Sequence, residues 1–393
     1  YMKYVAPAVV IAALAMPALA EEVKIGVMLG FTGPVESMTP QMAAAAEMAM
    51  KEASETELFL NGSTLTPVRG DSTCIDASAA TAAAERLVTS DRVKGIVGAA
   101  CSGVTTAILQ GVARPNGIAM VSPASTSPAL STVEDDGLFF RTSPADTRQG
   151  EIMSEILTDR GVKSVAVTFT NNDYGKGLSD AFKTAFEDAG GEVTITASHE
   201  DGKSDYSGEV GALASAGGEV LVVVGYIDRG GAAITQQALD SGAFNRFHFA
   251  DAMIGDALEE QFGTGIDGST GQFSGTDSPG VNMLVEMGGN EFDGTSAYTP
   301  ETYDAAALMI LAMQAAGSTD ASEYKSHFFD VANAPGEKIY PGELDKALKI
   351  LSEGGEIDYE GGSAVELIGS GESAGNFREI EIIDGKAETV KFR

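Results

Sequence analysis

Residues 94–128 constrain the fold more than any other stretch. Two short apolar runs, 95–99 and 118–121, each end abruptly in small hydroxyl residues, Cys101-Ser102-Gly103 and Ser122 to Thr126. A helical pattern over about 104–112 separates them. After the second run, Ser127-Pro128 offers an N-cap residue followed by a proline at the first helical position. One helix between two strands is a βαβ unit, which makes the strands parallel neighbours. Both hydroxyl clusters then fall at the carboxyl edge of one sheet, where open α/β sheets bind ligands. Helix N-termini there, with free N–H groups and a positive dipole end, favour an anion.

The sequence narrows the kind of anion. Nothing matches the phosphate-cradling G-x-x-x-x-G-K-[ST] loop. A G-x-G-x-x-G string at Gly263 to Gly268 follows an acidic helical stretch (256–262) instead of a strand, so it reads as a chance match in a loop. Ser102 and Thr126 with neighbouring backbone donors suit a small carboxylate. The same hydroxyls also fit ordinary caps and turns, and the local sequence leaves both readings open.

The chain has 393 residues, 44% of them hydrophobic, enough for two domains with real cores. Lys and Arg number 25 against 57 Asp and Glu, a net charge of −32. The charge is spread along the chain, which reads as a solvated acidic surface and argues against nucleic acid or an anionic membrane as partner. At the start, Lys3, an apolar run over 5–14 and Ala18-Leu19-Ala20 form the pattern of a secretory signal peptide, expected to be cleaved after Ala20. The remainder, from about Glu21, is expected to be exported and soluble. Two cysteines, Cys74 and Cys101, then predict one disulfide in an oxidising compartment. The rival reading makes Cys101 a nucleophile at a strand-to-helix elbow. It would need a histidine base, and His199, His248 and His327 lie in no recognisable catalytic motif.

Strands and helices alternate throughout. Strands are expected at 24–29, 65–69, 138–142, 164–169, 193–196 and 219–225. Helices are expected at 42–53, 77–89, 149–159, 177–188, 206–216, 231–241 and 299–316. The purely apolar run 220–224 suits a strand buried on both faces of a parallel sheet. The class is α/β, and the length implies two sheets. Glycine-rich 263–280 and 361–375 read as crossovers or surface loops.

In this frame the chain resembles the branched-chain amino-acid (Leu/Ile/Val-type) periplasmic binding proteins of ABC importers. The resemblance covers nearly the whole mature chain, from Val23 to about Phe392. It is carried by Lys24-Ile-Gly onward to Thr32-Gly-Pro, Asp71-Ser-Thr-Cys74, Gly98-Ala-Ala-Cys-Ser-Gly, Ser122-Pro-Ala-Ser-Thr-Ser-Pro, Phe140-Arg-Thr and Asp173-Tyr-Gly-Lys-Gly. It implies a type I periplasmic binding protein fold: two Rossmann-like lobes with parallel sheets, joined by a hinge of three crossovers. The lobes would run over 21–142 with about 277–365, and over 143–276 with about 366–393, after a signal peptide at 1–20. It also implies a small disulfide, Cys74 to Cys101.

Residue by residue, the resemblance puts the carboxylate-binding serine at Ser102, the carbonyl ligand of the ammonium at Ala124 and a second hydroxyl at Thr126. Two cleft tyrosines fall on Tyr174 and Tyr226, and the acidic partner of the ammonium on Asp251. Asp251 departs from the pattern, since the better-known members carry glutamate. An aspartate reaches about one methylene less far, so the pocket would sit closer or use a water. Ala100 and Met38 stand where bulkier side chains are common. The implied function is capture of an amino acid, branched-chain first, by a periplasmic monomer that delivers it to the membrane permease of an ABC importer. No catalysis, cofactor or metal is expected. Two other classes remain open: an exported hydrolase using Cys101, and a ligand-sensing receptor module. No second membrane segment or signalling domain speaks for the latter.

Overall fold

A computed structural model describes residues 20–393; the expected signal peptide falls almost wholly outside them. Two sheets organise the chain. The first contains β1 (Glu22–Leu29), β2 (Thr64–Asp71), β3 (Ile96–Gly98), β4 (Met120–Ser122) and β5 (Phe139–Arg141) in the order β2-β1-β3-β4-β5. All its pairings are parallel, and β3 and β4 are neighbours in the register Ile96 to Met120 and Val97 to Val121, as the βαβ pattern predicts.

The second sheet begins with β6 (Ser164–Thr170), β7 (Glu192–His199), β8 (Val220–Val224), β9 (Phe247–Phe249) and β10 (Thr270–Ser274). Short pairs β11 (Glu337–Ile339) with β12 (Ile357–Tyr359), and β13 (Leu367–Ile368) with β14 (Glu372–Ser373), stand apart from it. The hairpin of β15 (Phe377–Ile383) and β16 (Lys386–Phe392) then completes it, giving the order β16-β15-β10-β9-β8-β6-β7. Its five sequential strands are parallel, and the C-terminal hairpin adds antiparallel to β10. All five residues of β8 are buried, because helices cover both faces of a parallel sheet.

In each sheet the strand order reverses once, between β1 and β3 in the first and between β6 and β8 in the second. Such a reversal opens a crevice at the carboxyl ends of the strands. The chain passes between the sheets three times: at 142–145 after β5, at 275–278 after β10, and at 374–376 before β15. After the second passage it returns to the first sheet. Helix Thr299–Ala316 packs there on helix Thr39–Glu55 and on β3 and β4. Pro300 starts the long helix, and Gly317 at φ 64° ends it with a left-handed cap. It is buried on every side through Gln314, apolar from Ala305 to Met313 and with Glu301 and Asp304 buried in its first two turns, so it is not amphipathic. The helix it meets, Thr39–Glu55, buries Ala43, Ala46 and Ala49, small residues that let the axes approach closely.

Some expected elements differ. The helix after β3 starts at Ser102, not Val104, and runs as Ser102–Ile108 and on through Leu109–Ala113. The segment after Ser127 is only a short 3-10 turn, Pro128–Ser131. The helix after β6 begins at Asp173 because the Asn172 side chain accepts from the Gly175 N–H at 3.0 Å. The glycine-rich 263–280 stretch holds β10, a fully buried strand.

Candidate functional site

The loops that leave the two reversal points face one another. In the first sheet these follow β1 (Val35, Met38), β3 (Ala100, Cys101, Ser102) and β4 (Ala124). In the second they follow β6 (Tyr174), β8 (Tyr226) and β9 (Asp251, Ala252). They enclose a cavity whose wall includes Val35, Met38, Met42, Ala100, Ser102, Ala124, Tyr174, Tyr226, Ala252 and one further tyrosine, Tyr298.

On the first-sheet side, most hydroxyls of the serine-threonine loop hold the loop itself. Ser122 Oγ and Ser125 Oγ both donate to the Ala99 carbonyl, at 2.6 and 2.9 Å, and Ser125 Oγ also pairs with Thr105 Oγ1 at 2.6 Å. Ser102 Oγ accepts from the Ser127 N–H at 3.1 Å, tying the two loops together while its own O–H stays available. Thr126 Oγ1 is buried without a partner. Beneath the loop, fully buried Arg141 donates to the carbonyls of Ser125 and Ser127 at 3.1 and 3.0 Å and to Glu372 at 2.5 Å. Arg141 therefore sets the height of the loop that carries Ala124 and Thr126. Cys101 is bonded to Cys74 with their Cα atoms 5.2 Å apart, which pins this loop to the strand end at 71–74. A disulfide-bonded sulfur cannot form the thiolate a nucleophile requires.

On the second-sheet side, Tyr174 and Tyr226 stack with ring centroids 5.3 Å apart. Asn172, the helix cap, also donates from Nδ2 to the Tyr226 hydroxyl at 3.2 Å. The Tyr174 hydroxyl donates to Asp251 Oδ1 at 2.6 Å, and the Ala252 N–H donates to the same oxygen at 2.9 Å. Asp251 is buried, and burial raises its pKa. The Tyr174 and Tyr298 hydroxyls, the Gln149 amide and the Ala252 N–H favour its ionised form and temper the rise. The Tyr174 hydroxyl is pushed far up by burial and then by the Asp251 charge, so it remains a donor.

Of the eight residues expected to bind ligand, six stand on the cavity wall: Met38, Ala100, Ser102, Ala124, Tyr174 and Tyr226. Thr126 and Asp251 lie outside that wall, Asp251 being reached through the Tyr174 hydroxyl. Sequence reasoning missed three residues. Tyr298 lines the cavity in a left-handed backbone conformation, φ 62°, just before helix Thr299–Ala316. Asp146, the first residue of helix Asp146–Asp159, is fully buried, and its N–H donates to the Thr126 carbonyl at 2.8 Å. Gln149 is buried one turn later. In sequence Asp146 resembles any acid placed at a helix start to meet the dipole.

Contacts between the two sides close over the cavity. Ser37 N–H donates to Asp228 Oδ2 at 2.8 Å, Asp228 N–H to the Pro34 carbonyl at 3.2 Å, and Ser127 Oγ to the Asp173 carbonyl at 3.2 Å. A Cβ on Gly177 would come within 2.7 Å of Pro128 Cδ, so glycine permits this approach. Among the described residues, no three His, Cys, Asp or Glu side chains are arranged to hold a metal ion. His199 and His248 lie elsewhere, buried against Thr168 and Thr270, and burial holds them at about 4 and about 3, as neutral rings.

The chain as a whole is similar to known proteins. A family model described as "Periplasmic binding protein" matches residues 22–328. A Leu/Ile/Val-binding protein homolog from Brucella melitensis is 29% identical over 308 residues, covering 77% of this chain and 81% of the relative. A leucine binding protein from Thermotoga maritima superposes with a TM-score of 0.77 at 22% identity, over 94% of this chain and 98% of that one. A solute binding protein from R. palustris, solved with benzoate, superposes with a TM-score of 0.74 at 18% identity, over 94% and 96%. These relatives are solute-binding proteins, not enzymes, and the fold is that of the type I periplasmic binding proteins.

Proposed function

We propose, from the premise that the chain belongs to the periplasmic binding protein family, that it captures a branched-chain amino acid between its lobes and delivers it to the permease of an ABC importer. The observation that carries this reading is the Tyr174–Asp251 pair at one side of a largely apolar cavity, with Ser102 across from it. A zwitterion needs a donor set and an acceptor set held apart in a dry cleft. Ser102 and Thr126 with backbone N–H groups supply donors to the carboxylate. Asp251 and the Ala124 carbonyl accept from the ammonium, and a buried charge is tolerable only when paired in this way. Val35, Met38, Met42 and Ala100 offer apolar surface to the side chain. The name of the Brucella relative agrees with this class.

A protein of this kind works outside the cytoplasm; the proposal adds a periplasmic location, cleavage after Ala20 and a monomeric state. The lobes would run over 21–142 with 277–365 and over 143–276 with 366–393. The membership of the two sheets supports the first two bounds; at the third, β13, β14 and the turn between them still bond to Asn333, Ser131 and Arg141 of the first lobe, which favours a boundary at 374–376 instead of 365. An aromatic carboxylate is the second reading, because the R. palustris protein of the same fold was solved with benzoate. Benzoate has no ammonium, so Asp251 would face nothing. A thermal-shift screen separates the two. Ligand at 100 times its Kd should stabilise by about 2.7 kcal/mol. A shift with leucine, isoleucine or valine and none with benzoate is expected; the reverse would replace the proposal.

A further inference from the structure

Beside the Tyr174–Asp251 pair lies a group of buried polar atoms with more acceptors than donors. Both carboxylate oxygens of Asp146 are buried with no partner at full hydrogen-bond geometry, as are Gln149 Oε1 and Thr126 Oγ1, although the Thr126 hydroxyl lies near enough to Asp146 to favour its charged form. Three of these four atoms can only accept when the acid is ionised. Buried polar atoms are paired in nearly all folded proteins, so a surplus of acceptors at a binding site calls for a donor from outside. Asp146 is held there by its N–H bond to the Thr126 carbonyl, and its neighbour on the other side is Asp251.

We propose that Asp146 is a second acid of the cation-binding end of this site, and that Asp146 and Asp251 hold one proton between them until the ligand's ammonium displaces it to solvent. The proposal rests on the amino-acid reading above and extends it to a residue outside the set implied by the family resemblance.

The charges around the pair favour this. Asp146 faces Asp251, which opposes its ionisation, and Thr126 and Arg141, which favour it. Arg141 is already engaged by Glu372 and two carbonyls. Tyr174 and Tyr298 feel both carboxylates and stay protonated donors. Glu301 lies beyond Tyr298 and is itself pushed up to about 8 by burial, so it adds no firm charge near neutrality. Among the described residues, Arg141 is the cation that acts on Asp146, and it is already committed elsewhere, which leaves two buried carboxylates without a cation of their own. With one proton the pair carries a single charge; with an ammonium between them both can ionise, and the proton leaves. Two such acids titrate as a unit, so the displaced proton belongs to the pair.

The test uses the exported full chain at pH 7. Calorimetry with leucine in two buffers of different ionisation enthalpy should show release of up to about one proton per ligand. Asp146→Asn, an isostere of the protonated acid, should bind within about tenfold of the parent with buffer-independent heat. Buffer-independent heat in the parent would overturn the proposal. Infrared spectra of the ligand-free protein decide it independently. Beyond the protonated-carboxyl band that Glu301 gives in both proteins, the parent should show a further C=O band that Asp146→Asn lacks and that leucine removes; a parent spectrum identical to that of the variant overturns it. If the parent binds no amino acid at all, the ligand reading fails, and the ligand-free spectra still determine whether the two acids share a proton.

Discussion

The Tyr174 hydroxyl donates to Asp251 Oδ1 at 2.6 Å, joining the first turn of the helix after β6 to the turn after β9. The two residues come from the carboxyl ends of different strands of one sheet, and each shapes the other. The aspartate holds the phenol as a donor, and the phenol favours the charged form of the aspartate against the burial that raises its pKa.

Tyr174→Phe removes that donor and keeps the ring stacked on Tyr226. A hydrogen bond to a charged group contributes about 1.5–3 kcal/mol. Affinity for the amino acid should fall at least about tenfold, measured by calorimetry, with the stacking and the melting cooperativity retained. An unchanged affinity would remove this bond from the binding site.

The Cys74–Cys101 bond closes a loop of 27 residues. In the chain-entropy model such a crosslink stabilises by about 3.5 kcal/mol. The Cys74→Ser, Cys101→Ser double variant should lose stability on that order in urea and still fold, since each sheet keeps a large core. Its affinity should fall as well, because Cys101 adjoins Ser102. A variant that melts and binds like the parent would contradict this.

Glu301 is fully buried with no donor at full hydrogen-bond geometry, and burial, tempered by the nearby Ser274 hydroxyl, pushes its pKa up from about 4.5 to about 8. The folded state therefore binds more protons than the unfolded chain between these values, and stability falls as pH rises through that window. The buried histidines act in the opposite sense: held at about 4 and about 3, they make stability rise with pH until the unfolded value near 6.5 is passed. Above 6.5 the histidine contribution is complete and the Glu301 loss continues. The melting temperature should fall from pH 6.5 to 8 in the parent, and Glu301→Gln should flatten that fall. An equal slope in both proteins would assign it elsewhere.

Much of this was legible in the sequence, for a physical reason. The runs around Val97 and Val121 are apolar because both faces of the sheet are covered, and the hydroxyls after them mark strand ends. The strand β10 was not legible: Thr270-Gly-Gln-Phe-Ser looks like a loop. Its Gly271 is there because a Cβ would meet the Phe249 carbonyl at 2.8 Å. The C-terminal hairpin carried a usable signal in Asp384-Gly385, both at positive φ between two runs that alternate. At the site, the loop residues Ser102, Ala124, Tyr174 and Tyr226 follow strands in plain order and reach the cavity wall. Asp146 follows the first lobe crossing and Tyr298 immediately precedes helix Thr299–Ala316, and local sequence at neither place carries a trace of what lies opposite.

The central claim is that Asp251 receives an ammonium, and calorimetry tests it most directly. The parent, Asp251→Asn and Asp251→Ala are each titrated with leucine and with its desamino analogue. Truncating one partner of a buried, hydrogen-bonded charge pair costs about 2–5 kcal/mol, roughly thirtyfold to several thousandfold in affinity. The account predicts that the parent binds leucine and discriminates strongly against the analogue, that Asp251→Ala loses leucine affinity by such a factor, and that Asp251→Asn recovers little of it. Equal affinities across the three proteins and both ligands would contradict it, and would take both Asp251 and the amino acid out of the site.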